Sequence, residues 1–391
     1  MSTTVAHRHI HHPHNIWDWI VASLKKNTVA YIAALLAVVT SVIVPPDSAY
    51  VDYFDFKTLS CLFCTLAVVC ALKNIKFFTY LARRIVTATG NLRAAVIALV
   101  WITFIGSMLI ANDMALLTFL PLGYILLEET GKREYMAFTF IMQNIAANLG
   151  GMLTPFGNPQ NLYLYTKFNI PTGEFMAVML IPFVCAVVMI TLCCAVVVKK
   201  EPVELAAKND IELPVGRTLL YLILFTYSIL IVFRFIPYWT GLIVIPAFLL
   251  FMDRKALSAV DYPLLFTFVC FFIFAGNMSR IDAVNQLLSF LLEKNTLLVS
   301  ALSCQFISNV PSAILLSEFT ENYRELLVGV NIGGAGTLIA SLASLITFRE
   351  YTSHNQNCAG KYIKLFSIYN FSFLIILAII SVLYLQVFNI F

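Results

Sequence analysis

Two segments of the chain, 183 residues apart, repeat the same order of amide, hydroxyl and glycine residues. The matched positions are Asn148 and Asn331, Gly150 and Gly333, Gly151 and Gly334, Thr154 and Thr337, Asn158 and Ser341, and Asn161 and Ser344. Amide and hydroxyl side chains donate and accept hydrogen bonds without carrying a charge. A site built from them would hold a polar or anionic ligand weakly, so the pattern predicts reversible binding.

Glycine and proline in the same segments predict that each of two helices is interrupted. The interrupting residues are Gly150, Gly151, Pro155, Gly157 and Pro159 in the first segment, and Gly333, Gly334 and Gly336 in the second. A broken helix leaves amides unpaired at the start of one half and carbonyls unpaired at the end of the other. The amides suit an anion or a polarised oxygen, and the carbonyls suit a cation.

A polar tip interrupts each of the two long apolar stretches that precede these segments. The tips are residues 111–113, Ala-Asn-Asp, and 308–312, Ser-Asn-Val-Pro-Ser. Each stretch is long enough for two helices, so we expect two helical hairpins. Asp113 is the one carboxylate that this interpretation buries deep in an apolar region. Such an acid is a candidate for ion or proton coupling, although it could instead cap the amides of the following helix.

The elements that position these residues are expected to lie in a membrane. Of the 391 residues, 60% are hydrophobic and 12% are charged, whereas soluble domains have roughly 25% charged residues. This composition excludes a soluble enzyme and a disordered chain, and a net charge of +4 is too small to indicate nucleic-acid binding. Metalloprotease, P-loop and serine-hydrolase motifs are absent from the sequence. We therefore expect an all-α polytopic membrane protein that is no enzyme and needs no cofactor.

Cysteine and histidine residues do not indicate a structural metal site. Cys61 and Cys64 have the spacing of a metal or redox pair, but they lie in an apolar stretch without a second pair, and we interpret them as small hydrophobic side chains. Residues 1–27 contain five histidines, namely His7, His9, His11, His12 and His14, and two tryptophans. We expect a solvated cytoplasmic tail and a short interfacial helix, with loose metal binding by the histidines as the alternative.

The positions of Lys and Arg orient the helices. The predicted single spans are 28–45, 57–73, 135–165, 174–198, 218–236, 239–252, 262–276, 328–348 and 364–389. With a cytoplasmic N-terminus and hairpins that return to their own side, 19 of the 25 Lys and Arg are cytoplasmic and 6 are outside. This asymmetry fits the positive-inside rule, and an odd number of crossings in either hairpin would abolish it.

The two copies are predicted to form an inverted-topology repeat, because one span, 218–236, has no counterpart in the first copy. The expected parts are the tail 1–27, a first repeat 28–198 with hairpin 94–127 and broken helix 135–165, a cytoplasmic linker 199–217, and a second repeat 218–391 with hairpin 296–327 and broken helix 328–348. Many secondary transporters are built in this way. Small residues can also serve helix packing alone, but the recurrence of all the parts in one order favours a single buried polar site.

We predict that the two tips and the two breaks form this site together. The candidate substrate-binding residues are Asn112, Asn148, Gly151, Thr154, Asn158, Asn161, Ser308, Asn309, Ser312, Asn331, Gly334, Thr337, Ser341 and Ser344. The candidate ion-coupling residues are Asp113, Asn112 and Asn309. No metal ligands are predicted.

These tips, with the segments 148–165 and 331–337, resemble the ion transporter superfamily. That superfamily includes citrate transporter-like permeases, arsenical pump membrane proteins and divalent anion:sodium symporters, and the resemblance covers nearly the whole chain beyond residue 28. It implies a scaffold domain and a transport domain that moves like an elevator, often in a homodimer. Sodium–dicarboxylate members carry Ser-Asn-Thr at both tips. The Ala-Asn-Asp tip looks more like the arsenical pump and sodium/proton antiporter branches, so citrate and arsenite both stay open.

The sequence therefore predicts a secondary active transporter of a small anion or oxyanion, coupled to H⁺ or Na⁺ through alternating access. We expect a multi-pass protein of the plasma or inner membrane with a cytoplasmic N-terminus. Its expected partners are the lipid bilayer, a small anionic substrate and a second copy of the chain, without nucleic acid. An ion channel or a Na⁺/H⁺ antiporter-type cation exchanger is the alternative.

Overall fold

A computed structural model describes residues 27–203, 212–355 and 358–388, and all regular elements in these ranges are helices. The α-helices are α1 Thr28–Ile43, α2 Phe56–Asn74, α3 Phe77–Thr87, α4 Leu92–Ile110, α5 Asn112–Glu129, α6 Met136–Gly150, α7 Pro159–Lys167, α8 Thr172–Val197, α9 Val215–Val232, α10 Tyr238–Met252, α11 Arg254–Ser258, α12 Tyr262–Ser279, α13 Asp282–Ile307, α14 Asn309–Leu316, α15 Tyr323–Ile332, α16 Leu342–His354 and α17 Ala359–Phe388. Three short 3₁₀ helices cover Ser48–Tyr53, Arg133–Tyr135 and Gly151–Leu153. The predicted all-α class is confirmed. The predicted tail and interfacial helix, apart from Asn27, lie outside the described residues.

Seven of the described helices, α2, α4, α8, α9, α12, α13 and α17, are long and apolar enough to cross a membrane, and α1 and α10 are shorter apolar helices. Several large apolar side chains on these helices point away from the protein core. Leu35 is 63% exposed, Val196 82% and Phe251 88%. Large exposed apolar surfaces are rare in soluble monomers and are expected where lipid covers them. The chain is a multi-pass membrane protein, as predicted.

One residue joins the two helices at each polar tip. Ala111, with φ 65°, separates α4 from α5, and Ser308, with φ 72°, separates α13 from α14. Residues other than glycine rarely adopt a positive φ. The side-chain oxygen of the next residue, Asn112 or Asn309, accepts a hydrogen bond of 2.9 Å from the following backbone amide. The two tips therefore share one geometry.

Both expected helix breaks are present. Residues 151–158 separate α6 from α7, and residues 333–341 separate α15 from α16. A Cβ atom on Gly150 would lie 2.3 Å from the carbonyl oxygen of Phe104, and one on Gly333 would lie 3.0 Å from a backbone atom of α13. Glycine thus allows α6 and α15 to approach the first arm of their own hairpin closely.

Helix packing follows a matching order in the two halves of the chain. α4 packs against α6 as α13 packs against α15, and α1 contacts α12 as α10 contacts α2. These pairs agree with the correspondence between halves that the sequence predicts. The exact repeat boundaries stay a prediction.

Three helical segments lie outside the predicted spans. They are α3, α11 and residues 282–294 of α13, which precede a non-helical Asn295. α3 buries Phe78 and Val86 but exposes Arg84. Such an amphipathic helix lacks the long apolar run by which the sequence indicates a membrane span.

The boundaries of α15 and α16 also differ from the predicted broken helix 328–348. α15 begins at Tyr323, inside the predicted second hairpin, because the side chain of Asn322 accepts a hydrogen bond from the Glu325 amide and caps the helix. α16 continues to His354. The first turn of α15 and the last turns of α16 contain polar residues, so the apolar pattern of the sequence did not indicate them.

The predicted linker is anchored to the base of the first hairpin where the structure describes it. Leu92 donates its amide hydrogen to the Glu201 carbonyl at 2.8 Å, and Arg93 Nε donates to the Val198 carbonyl at 2.7 Å. Lys132 Nζ donates to the Glu201 carboxylate, which holds the pKa of that carboxyl below its usual range. The middle of the linker, residues 204–211, lies outside the described residues.

Candidate functional site

Asn148, in the last turn of α6, connects three of the four predicted parts. Its side-chain oxygen accepts hydrogen bonds from Asn112 Nδ2 at 3.1 Å and from Ser341 Oγ at 2.8 Å. Its backbone oxygen accepts one from Asn158 Nδ2 at 3.3 Å. The first tip and both breaks therefore meet at one side chain, which is 2% exposed.

The second tip adjoins the same point. Asn309 donates its amide hydrogen to the Ala340 carbonyl at 3.0 Å, and Ser308 Oγ donates to the same carbonyl at 3.3 Å. A Cβ atom on Gly334 would lie 3.3 Å from Asn309 Nδ2 and 3.9 Å from Asn148 Cβ. The two tips and the two breaks thus form one buried polar cluster, which we call the centre.

A second amide pair joins the two halves beside Asn148. Asn331 Nδ2 donates to Asn161 Oδ1 at 2.6 Å. Asn161 Nδ2 in turn lies 3.0 Å from the Gly151 carbonyl and 3.3 Å from those of Met152 and Thr154. Asn161 therefore pairs backbone carbonyls of the first break that no helix satisfies.

The matched threonines make equivalent contacts. Thr154 Oγ1 donates to the Met108 carbonyl at 3.1 Å, and Thr337 Oγ1 donates to the Gln305 carbonyl at 3.0 Å. Each accepting carbonyl belongs to the residue three positions before its hairpin tip. The same hydrogen bond ties each break to its own hairpin, which supports the predicted repeat.

Ser312 is a candidate whose hydroxyl forms a hydrogen bond within its own hairpin. Its hydroxyl lies 3.0 Å from Ser303 Oγ, so it pairs the two arms of the second hairpin with each other. Its position in the tip motif did not indicate this contact with Ser303, because side chains near the start of a helix point in several directions. Ser312 is therefore a contact within the hairpin.

Sequence reasoning missed Gln305, which holds the second break. Its Nε2 atom lies 2.9 Å from the Gly333 carbonyl and 3.2 Å from the Ala335 carbonyl, and its Oε1 atom accepts from the Thr337 amide at 2.8 Å. The position that matches Gln305 in the first half is Met108, so comparison of the repeats gave no signal. An amide residue within an apolar hairpin arm, close to the tip, was the available clue.

Gln160 was also missed, although it lies inside the first matched segment. Its Nε2 atom is 3.5 Å from Asn331 Oδ1, and it is 1% exposed. The matching position in the second half is Ala343, which is apolar, so the repeat drew attention only to the residues on either side.

Several buried polar atoms around the centre have no hydrogen-bond partner among the described residues. They are Asp113 Oδ1, Asn148 Nδ2, Asn158 Oδ1, Gln160 Oε1 and Ser344 Oγ. Buried polar groups are nearly always paired, and each unpaired one costs about 1–3 kcal/mol. The set contains donors and acceptors without a cationic side chain. The unpaired donors can therefore contact the oxygens of a ligand. The unpaired acceptors can contact either polar hydrogens of the ligand or a cation.

Asp113 does not cap the amides of α5 in the way that the alternative interpretation required. Its own amide hydrogen is accepted by Asn112 Oδ1, and Asp113 Oδ1 is buried without a partner. The matched position in the second tip is Val310. The two halves are therefore unequal in charge, with one carboxylate beside the centre.

No group of three or more His, Cys, Asp or Glu side chains in residues 27–203, 212–355 and 358–388 could hold a metal ion. The centre consists instead of neutral amides and hydroxyls with a single carboxylate at its edge. Such a set suits non-covalent binding.

Comparison with known proteins gives one family and several relatives. A family model described as citrate transporter matches residues 16–322. The uncharacterized transporter MJ0456 of Methanocaldococcus jannaschii is 32% identical over 75% of this chain and 81% of its own length. The inner membrane protein YbiR of Escherichia coli is 28% identical over 77% of this chain and 80% of its own. The silicon efflux transporter LSI3 of Oryza sativa subsp. japonica is 31% identical over 38% of this chain and 30% of its own.

Proposed function

This chain belongs to the citrate transporter family, and we propose that it is a secondary active transporter of a small anion or oxyanion. The family and the names of the relatives indicate a membrane transporter of a small molecule and not an enzyme, as the sequence predicted.

The observation that carries the proposal is the meeting of the first tip and both breaks at Asn148, with the second tip bonded to Ala340 of the second break. Four helices, α5, α7, α14 and α16, begin at these parts. The start of a helix offers unpaired amides and a partial positive charge, which favour carboxylate or oxyanion oxygens. With neutral side chains for the rest of the contacts, binding would be weak enough for release on the other side of the membrane.

We assign coupling to Asp113, beside the centre. A carboxylate at membrane depth can take up a proton or contact a sodium ion, and either would remove the cost of its charge. Substrate and ion would then both bind more tightly to the conformation in which the centre is closed. This shared preference would couple the transport of one to that of the other. The two hairpins and broken helices would move together past the rest of the protein, in an elevator-like way, within a homodimer whose N-termini are cytoplasmic.

Transport into proteoliposomes tests the proposal directly. Uptake or release of a panel of carboxylates and oxyanions, with citrate and arsenite among them, is measured under an imposed H⁺ or Na⁺ gradient. We expect flux of at least one anion that depends on a gradient. Absence of any such flux would refute the proposal. Na⁺/H⁺ exchange without anion movement would instead favour the cation exchanger, which the single unpaired carboxylate of Asp113 could serve.

Removing either central amide should abolish transport. Asn148→Ala disconnects the first tip from the second break, and Asn331→Ala removes the bond to Asn161 that joins the halves. We expect at least a hundredfold loss of flux in both variants, because each leaves several buried polar groups unpaired at about 1–3 kcal/mol apiece.

The matched control is Asn285→Ala, because Asn285 is an exposed amide that bonds to Ser279 and Ser289, which are not candidate site residues. It should keep wild-type flux. Membrane insertion and monodispersity of all three variants are checked by fluorescence-detected chromatography. Wild-type flux in either central variant would remove that residue from the site.

A further inference from the structure

A second group of buried polar side chains lies one helical turn from the centre. Asn144 of α6, Thr347 of α16 and Asn370 of α17 are each 0% exposed. Asn144 precedes Asn148 by four residues, which places both on one face of α6. We call Asn144, Thr347 and Asn370 the amide–threonine cluster.

Oxygen atoms are in excess in this cluster. Thr347 Oγ1 donates its hydrogen to the Ala343 carbonyl at 2.9 Å, and Asn370 Nδ2 donates to the Phe366 carbonyl at 3.0 Å. Thr347 Oγ1 and Asn370 Oδ1 are therefore left as acceptors toward Asn144. The amide of Asn144 offers one more oxygen and an NH₂ group with two hydrogens, so three oxygens share two donor hydrogens.

The contacts inside the cluster are long. Thr347 Oγ1 is 3.5 Å from Asn144 Oδ1, and Asn144 Nδ2 is 3.5 Å from Asn370 Oδ1. Good hydrogen bonds between such atoms are about 2.7–3.2 Å long. Three fully buried polar side chains from three helices thus converge without a strong hydrogen bond between any two of them.

An unpaired hydroxyl lies beside the cluster. Ser344 Oγ is buried with no hydrogen-bond partner among the residues that the structure describes, and Ser344 is 0% exposed. It precedes Thr347 by three residues, so the two hydroxyls lie on one side of α16. A ligand at the cluster could use this fourth oxygen.

We propose that the amide–threonine cluster, with Ser344 beside it, binds one sodium ion at a site that adjoins the substrate centre. Calcium takes oxygen ligands at about 2.3–2.6 Å, and sodium has nearly the same ionic radius. One such ion can lie within that range of both Thr347 Oγ1 and Asn144 Oδ1, which are 3.5 Å apart. Neutral oxygens suit a single positive charge, and α6 has no charged residue. The inference rests on the proposed function only in regarding this sodium as a coupling ion additional to the proton or ion that Asp113 would hold.

The position of the site explains how an ion there would influence the centre. A sodium ion would hold α6, α16 and α17 together. The first two of these helices carry Asn148 and the cap residue Ser341, whose hydrogen bond of 2.8 Å closes the centre. Bound sodium would therefore strengthen substrate binding, and substrate would strengthen sodium binding by the same factor.

Thermal unfolding of the purified full chain tests the site without transport. The unfolding temperature is measured in NaCl and in choline chloride at equal ionic strength. An ion that binds only the folded state raises this temperature. Thr347→Val removes the oxygen and keeps the shape, whereas Thr347→Ser keeps the oxygen. We expect sodium to stabilise the wild type and Thr347→Ser, with at least tenfold weaker apparent affinity in Thr347→Val.

Asn144→Asp adds a variant with a gain of binding, in case Thr347→Val does not fold. A carboxylate in the cluster should bind sodium at least tenfold more tightly than the amide does. An equal sodium response in Thr347→Val and the wild type would place the ion elsewhere and overturn the inference. No sodium response of the wild type would mean that the cluster holds water only. A protein that binds sodium here but moves no anion would refute the proposed function and leave this site standing.

Discussion

At the scale of single residues, the two breaks are held by different side chains. In the first, Asn161 reaches back from α7 and pairs backbone carbonyls of the break. In the second, Gln305 performs this task from the hairpin. Asn161 is matched by Ser344 in the second half, and Gln305 is matched by Met108 in the first. Ser344 Oγ has no hydrogen-bond partner among the described residues. Pairing of the backbone by Gln305 thus leaves a hydroxyl of the second half available to a ligand.

Substitution of Gln305 should damage the second break specifically. Gln305→Leu leaves the Thr337 amide and the carbonyls of Gly333 and Ala335 without this partner, at about 1–3 kcal/mol for each group left unpaired. Gln305→Glu should be no better, because an ionised carboxylate cannot donate to carbonyls. We expect lower thermal stability and at least tenfold lower flux, measured by unfolding scans and in proteoliposomes.

Met108→Leu is the matched control for this prediction. Met108 contributes only its backbone carbonyl to Thr154, and leucine keeps the volume and apolar character of the side chain. Stability and flux should stay near the wild-type values. Equal effects at positions 108 and 305 would show that Gln305 acts through packing and not through its amide.

At the scale of the elements, close helix approach decides where the breaks lie. A Cβ atom on Gly150 would lie 2.3 Å from the Phe104 carbonyl oxygen and 2.4 Å from Ser107 Oγ. The backbone of α4 cannot move aside without disturbing the first hairpin. α6 and its hairpin are therefore packed as one unit, and that unit carries Asn148 to the centre.

Gly150→Ala should separate α6 from α4. Overpacking of this kind costs about 1–3 kcal/mol, so we expect a lower unfolding temperature and loss of flux. Gly173→Ala is the control, because a Cβ atom there meets nothing within 4 Å and alanine favours a helix by about 0.4–1 kcal/mol. A Gly150→Ala protein as stable as the wild type would contradict this account of the packing.

At the scale of the whole molecule, length alone does not separate crossing helices from hairpin arms. α4 and α13 are long and apolar enough to cross a membrane, yet each ends at a tip beside the centre. With a cytoplasmic N-terminus, the predicted distribution of 19 cytoplasmic and 6 outer Lys and Arg arises only if both hairpins return to their own side. Membrane topology is therefore the property that distinguishes an inverted repeat from other arrangements of these helices.

Cysteine labelling tests this topology in a cysteine-free background. Gly90→Cys and Glu134→Cys report on the base of the first hairpin, and Asn285→Cys and Glu321→Cys on that of the second; all four positions are exposed. An impermeant maleimide on intact cells should label the second pair only, and permeabilisation should expose the first. Labelling of just one member of either pair would show that its hairpin crosses the membrane and would exclude the inverted arrangement.

The sequence by itself determined the membrane class, the two polar tips and the two breaks. Scarcity of charge is a property of composition, and glycine, proline and tip residues act on the backbone near themselves. The matched spacing also singled out most residues of the centre, including Asn148 and Asn331. The repeat supplied this information because both copies need residues of the same types to interrupt a helix and to form a hairpin tip.

Only the tertiary structure decided which polar side chains meet. It turned Ser312 toward Ser303 in its own hairpin and brought Gln305 to the second break. It also brought Asn144 to within 3.5 Å of Asn370, which lies 226 residues later. Such contacts depend on the rotation of each helix about its axis and on how closely neighbouring helices approach. No local pattern fixes either quantity, because both follow from the packing of the whole bundle.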